Sequence, residues 1–134
     1  MAEITIQTKA NFSDLDLNFT AHPVKKDITK YLNEYAILNS IKNLVLTNHY
    51  ERPFQPDIGS NIRRLLFENI DTLVAAQLEK EVEDTITNFE PRVQIKKVTA
   101  KASPDEHRYN LTLEFYLINN HNLVTLNFFL ERLR

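Results

Sequence analysis

The apolar residues of this 134-residue chain change their period once, at Pro91, and that change decides which folds are open to it. Upstream they recur at helical spacing. Ile37, Ile41, Leu44 and Val45 form one stripe on a helix expected to begin after Asn33, an N-cap residue type, and to run to about Asn48. Val74, Leu78, Val82, Ile86 and Phe89 form a second stripe over residues 72–89, with Glu79, Lys80, Glu81, Glu83 and Asp84 expected to face away. Between the two, Arg52-Pro53-Phe54-Gln55-Pro56-Asp57-Ile58-Gly59 breaks the pattern, because its prolines forbid a helix and Gly59 suits a positive-φ turn. Ser60 or Asn61 is placed to cap a short helix carrying Ile62, Leu65, Leu66 and Phe67. Pro91 ends the long helix, since it pushes the residue before it out of the α region.

From Val93 the period is two. Val93 and Ile95 share one parity and Val98, Ala100 and Ala102 the other, so a bulge is expected at Lys96-Lys97. After a turn at Ser103–Glu106, Tyr109, Leu111, Leu113, Phe115 and Leu117 alternate without error. A second turn at Asn119–Asn122 precedes Val124, Leu126, Phe128 and Leu130. The expected fold is α+β, three helices packed on a three-stranded antiparallel C-terminal meander. An extended N-terminal arm is expected over residues 1–22, and a single domain over 23–134. Within the arm Asp14–Phe19 alternates like a strand, and Leu15, Leu17 and Phe19 read as anchors on a neighbour, because Asp14 and Asp16 resist burial.

Chemistry is scarce. With no cysteine, disulfides, thiolate metal sites and cysteine nucleophiles are excluded. His22, His49, His107 and His121 are scattered and lack metal-ligand spacing. One glycine in the whole chain cannot build a glycine-rich phosphate cradle, so no nucleotide cofactor is expected. None of the four serines sits in a nucleophile elbow. A net charge of -2 with dispersed basic residues disfavours nucleic acid. No apolar run is long enough for a bilayer, and the polar–apolar alternation after Met1 gives no secretory signal. Carboxylates are plentiful, so a carboxylate-dependent peptidoglycan hydrolase stands as the alternative function, with Glu68 and Glu90 at helix ends as its test residues.

Glu90-Pro91-Arg92 admits two readings. One is a helix stop with two surface charges. The other is a guanidinium held rigidly at a helix-to-strand junction, ready for bidentate contact with a partner carboxylate or with helix C-terminal carbonyls.

Arg52-Pro53-Phe54-x-Pro56-x-x-Gly59 followed by Leu65-Leu66-Phe67-Glu68, then Asn88-Phe89-Glu90-Pro91-Arg92, resembles the signature of the baseplate wedge and tail-sheath initiator family of contractile phages. Ser13–Phe19 and Ala36-Ile37-x-x-Ser40-Ile41-x-x-Leu44 are similar to its N-terminal half. The resemblance implies a non-enzymatic virion protein of the tail baseplate, assembled in the host cytoplasm, as in related type VI secretion and injection machines. It implies wedge proteins and tail sheath as partners, with tail tube proteins as further candidates, and neither cofactor nor membrane. Glu90, Pro91 and Arg92 become wedge contacts, while Arg52, Pro53, Phe54, Pro56, Gly59, Leu66, Phe67 and Glu68 form a structural motif. Sheath is expected to add a strand to the meander at Leu123, Val124, Thr125, Leu126, Asn127 and Phe128. Proline at Thr125 and at Asn127 is expected to separate the open edge from the paired one.

Overall fold

The computed structural model describes residues 13–16, 18–27, 30–118 and 120–133, and the chain divides into two compact units, residues 1–40 and 41–134.

In the first unit, β1 (Ser13–Leu15) pairs antiparallel with β2 (Lys30–Leu32). The alternation of Asp14–Phe19 does not continue as a strand. Asp16 stops it, because its buried carboxylate accepts the amides of Asn18 at 2.8 Å and Thr20 at 3.3 Å, an aspartate-driven turn. Burial of Asp16 is therefore possible within this chain. Leu15 and Phe19 are exposed, whereas Leu17 and residues 1–12 lie outside the described residues.

Helix α1 (Glu34–Leu46) crosses the division between the units and buries Ala36, Ile37, Ile41, Leu44 and Val45, the expected stripe. Asn33 precedes it at φ 51°, a left-handed conformation that asparagine tolerates, instead of the extended geometry of an N-cap.

In the second unit α2 (Ile62–Leu65) is a single turn, and α3 (Thr72–Phe89) has the predicted bounds. The capping expectation for α2 fails. The buried Ser60 hydroxyl donates back to the Val45 carbonyl at 2.9 Å, and Asn61 makes no side-chain cap. The meander is β3 (Val93–Ser103), β4 (Arg108–Leu117) and β5 (Asn120–Glu131), in the order β3-β4-β5. Its register slips between Ile95 and Lys97, where the parity switch required it. Strand β4 lies in the centre and alternates half-buried with buried along its whole length, and α3 packs along β3. Each of Leu111, Leu113 and Phe115 is almost wholly buried and contributes about 1.5–3 kcal/mol.

Tyr109 ties the sheet to the start of α3. Its fully buried ring brings the hydroxyl within 3.3 Å of the Asp71 amide, which donates to it. Burial pushes its pKa above the ordinary 10.0, although the Asp71 hydrogen bond opposes this. A folded-state pKa above the unfolded value means that this contribution is complete below pH 10.0 and is lost as pH rises through the folded value. Tyr109→Phe should cost about 1 kcal/mol at neutral pH. It should also flatten the alkaline loss of stability relative to the parent, a difference measurable as urea midpoints at pH 7 and above about pH 10.

Candidate functional site

Three surfaces carry the residues singled out from the sequence. At the α3–β3 junction, the Glu90 amide closes the helix on the Ile86 carbonyl, and Pro91 turns the chain into β3. Glu90 is no surface charge, being only 3% exposed. Arg92 forks onto it, with Nε donating to Oε1 at 2.6 Å and Nη2 to Oε2 at 2.8 Å. The guanidinium thus clamps a carboxylate of its own chain across a proline, with 31% of its side chain still exposed and Pro91 exposed beside it. The Arg92 carbonyl accepts the Ile118 amide at 3.1 Å, which ties the junction to the β4–β5 turn.

The sheet has two outer edges, and they differ. On β3 the Ala100 amide donates to Glu79 Oε1 of α3 at 2.8 Å, so it points away from β4. This corrects the sequence reading of Glu79, which does not face away. Hydrogen-bond direction has period two, as side-chain direction does. Ala100 pairs with Leu111, so the Leu111 amide turns toward β5, where it faces Phe128. Amides at even positions of β5 therefore point inward to β4, and the Arg132 amide, which donates to the His107 carbonyl at 2.8 Å, follows the same parity. Amides of Thr125, Asn127, Phe129 and Glu131 point outward, and none of them donates to another described residue. The expectation that proline at Thr125 and at Asn127 would behave differently is corrected, since both residues have the same parity. Their side chains are exposed, while Val124 and Leu130 are buried. The outer edge stops at Leu133, whose amide donates to the Leu66 carbonyl at 2.9 Å.

The third surface is the segment after α1. Asn48 and Ser60 form a parallel bridge that closes the loop between them. Gly59, at φ 143°, presses against Asn48, where an added Cβ would meet backbone atoms at 2.7 Å. Only glycine fits there. Of the motif residues, Gly59 and Leu66 are buried, whereas Arg52, Pro53, Phe54, Pro56, Phe67 and Glu68 are exposed.

A cavity of about 230 Å³ beside the end of β5 is lined by Val45, Ile62, Leu66, Leu130 and Leu133, among others, and is smaller than the ~300–1,000 Å³ of small-molecule sites. A polar cleft of about 460 Å³ between α2 and α3 is lined by Glu68, Glu81 and Asp84 together with Arg64 and Lys80, and Glu90 does not line it. Among the described residues no cluster of carboxylates and histidines could hold a metal ion, and no helix is long and apolar enough to cross a membrane. Sequence reasoning missed Glu81 as well as Glu79. Glu81 accepts the Asn61 amide at 2.8 Å and so braces the start of α2.

A profile of the family described as baseplate wedge protein gp25 matches residues 33–121. The chain is 30% identical over 95 residues to the baseplate wedge protein gp25 of Enterobacteria phage T4, which covers 71% of this chain and 72% of that protein. A candidate tail lysozyme of Geobacter sulfurreducens is similar in structure, with TM-score 0.66 and 28% identity over 73% of this chain and 89% of that one. A chain of the anti-feeding prophage baseplate shares the fold at TM-score 0.70 and 23% identity, covering 83% of this chain and 89% of that one. A chain of the type VI secretion baseplate complex does so at 0.61 and 18%, covering 73% and 92%. With its profile matched over more than half the sequence and a curated relative at 30% identity, the chain belongs to the gp25 family of baseplate wedge proteins.

Proposed function

We propose that the chain is a non-enzymatic component of a contractile-tail baseplate in the virion, one that docks on wedge proteins through Glu90-Pro91-Arg92 and starts the sheath. The observation that carries the second half is the asymmetry of the sheet. Edge β3 runs along α3, and Glu79 takes one of its amides. Edge β5 offers outward amides from Thr125 to Glu131 on an apolar strand without proline. Such an edge is a template for one more strand, with main-chain hydrogen bonds giving affinity and alternate side chains giving register. Sheath protein is the partner that fits this role. The test is sheath length on particles carrying proline at an outward or an inward position of β5.

For wedge docking, the clamp supplies pre-organisation. Arg92 is held in one geometry by Glu90, so a partner meets a fixed surface at Pro91 and the exposed part of the guanidinium.

The hydrolase reading draws on the Geobacter relative's name and on the cleft holding Glu68, Glu81 and Asp84. Against it, Glu81 is spent on the Asn61 amide, and both Glu90 oxygens are engaged by Arg92. Incubation of the chain with peptidoglycan should release no soluble sugar above background. Turnover that disappears in Glu68→Gln would establish the enzyme instead.

A further inference from the structure

Phe54 is 97% exposed at the tip of a loop that is anything but loose. Within the Asn48–Ser60 loop the Tyr50 amide donates to the Pro56 carbonyl at 2.8 Å, and the Glu51 carboxylate accepts the Asn48 amide at 2.8 Å. The Ile58 amide donates to the Gln55 carbonyl at 3.2 Å, and the His49 ring contacts the Asp57 carbonyl at 3.2 Å. Bridged ends and internal bonding define a compact surface loop of the Ω type, a class that often carries function. Gly59 and the buried Ser60 explain how the ends of the loop come together. They do not explain why a phenylalanine should stand at its tip, where it buries nothing in the monomer.

A single exposed apolar side chain is ordinary. This one has company. Tyr50 is 82% exposed on the same loop, and Tyr50 and the exposed Phe67 line a cleft of about 420 Å³ together with His49, Asn61, Arg63 and Arg64. Arg52, Arg63 and Arg64 are all exposed, and no carboxylate among the described residues lies within ion-pair distance of them. Exposed aromatic rings beside unpaired arginines have the composition of an interface hot spot.

We propose that the Asn48–Ser60 loop and the cleft at its base form a pre-formed docking element for an acidic protein surface, with Phe54 seated in an apolar recess of the partner and Arg52, Arg63 and Arg64 facing carboxylates of the same partner. The arginines make the partner acidic by charge complementarity. Glu51 and Asp57, interleaved in the loop, and the net charge of -2 favour a protein over a nucleic acid. Rigidity serves the contact, because a loop already ordered loses little entropy on docking. The inference rests on baseplate membership but not on the β5 edge or the Glu90–Arg92 clamp, which use other residues.

The experiment uses baseplates purified from cells that produce the particle. Phe54→Ala and the pair Arg63→Glu with Arg64→Glu should each lower incorporation of the full chain at least tenfold, while the melting temperature of the free chain stays within about 3 °C. With p-benzoylphenylalanine at position 54, irradiation of assembled baseplates should join the chain to a peptide of one partner protein that carries several aspartates or glutamates. Lysines in place of those acids should restore incorporation of the charge-reversed pair. Unchanged incorporation of either variant would overturn the proposal. So would an adduct on nucleic acid or on a second copy of this chain, no adduct at all, or a melting temperature that falls by more than about 10 °C in Phe54→Ala, which would make the ring structural.

Discussion

Particles carrying Asn127→Pro are expected to hold a normally folded chain and little or no sheath, whereas Leu126→Pro is expected to disable the fold itself. The Asn127 amide points outward and the side chain is exposed, so the ring removes a donor that the isolated chain does not use. Its melting temperature should change by no more than about 3 °C. At Leu126 the amide belongs to the ladder with Leu113. Losing it leaves a buried carbonyl without its donor, about 1–3 kcal/mol, and the larger side chain goes as well. Together these should lower the melting temperature by roughly 10 °C or more in a chain of this size. Thr125→Pro should behave like Asn127→Pro. Melting of the purified variants and sheath length by negative-stain imaging separate the outcomes. If Asn127→Pro and Thr125→Pro both fold and both still start full-length sheath, attachment does not run through β5.

Arg92→Ala should destabilise the chain, contrary to what a surface arginine would do. Exposed ion pairs are worth about 0–1 kcal/mol. Here the carboxylate left behind is 3% exposed and loses two short charge-assisted hydrogen bonds. Truncating one member of a buried pair costs about 3–5 kcal/mol, and the partial exposure of Arg92 places this case toward the lower end. Glu90→Gln should cost less, since a neutral amide keeps the shape and is cheaper to bury than a carboxylate. Combining Glu90→Gln with Arg92→Ala should recover part of the stability lost in Arg92→Ala, a coupling readable from a double-mutant cycle. Wedge docking is then measured on Arg92→Lys, which keeps the charge and gives up the fork. Reduced wedge assembly with a stability loss below about 1 kcal/mol would support docking through this element. An additive cycle, with no recovery, would mean that the pair is not the clamp its geometry describes.

What was legible beforehand was whatever the backbone repeat writes into the chain. The stripes of α3 and the alternation of β4 were readable because helix and strand geometry return a side chain to the same face at fixed intervals. The bulge was visible at Lys96-Lys97 for the same reason, since a parity switch has no other cheap explanation. The ends of elements were less secure. Asn33 and Asn61 look like caps by residue type, but Asn33 takes a left-handed conformation and the Asn61 side chain makes no capping hydrogen bond.

Polar side chains were the part that only tertiary structure decided. Glu79 and Glu81 sit on the face of α3 that the helical period assigns to solvent, and each accepts a backbone amide about twenty residues distant in sequence. No local pattern encodes such a partner, since it depends on how α3 lies against β3 and α2 after docking. Asp16 and Glu90 are buried for a related reason. A carboxylate can leave water where enough donors converge on it, and convergence is a property of the folded chain. Exposure of Phe54 belongs in the same class. Composition marks phenylalanine as a core residue, and only the closure of the Asn48–Ser60 loop turns this one outward.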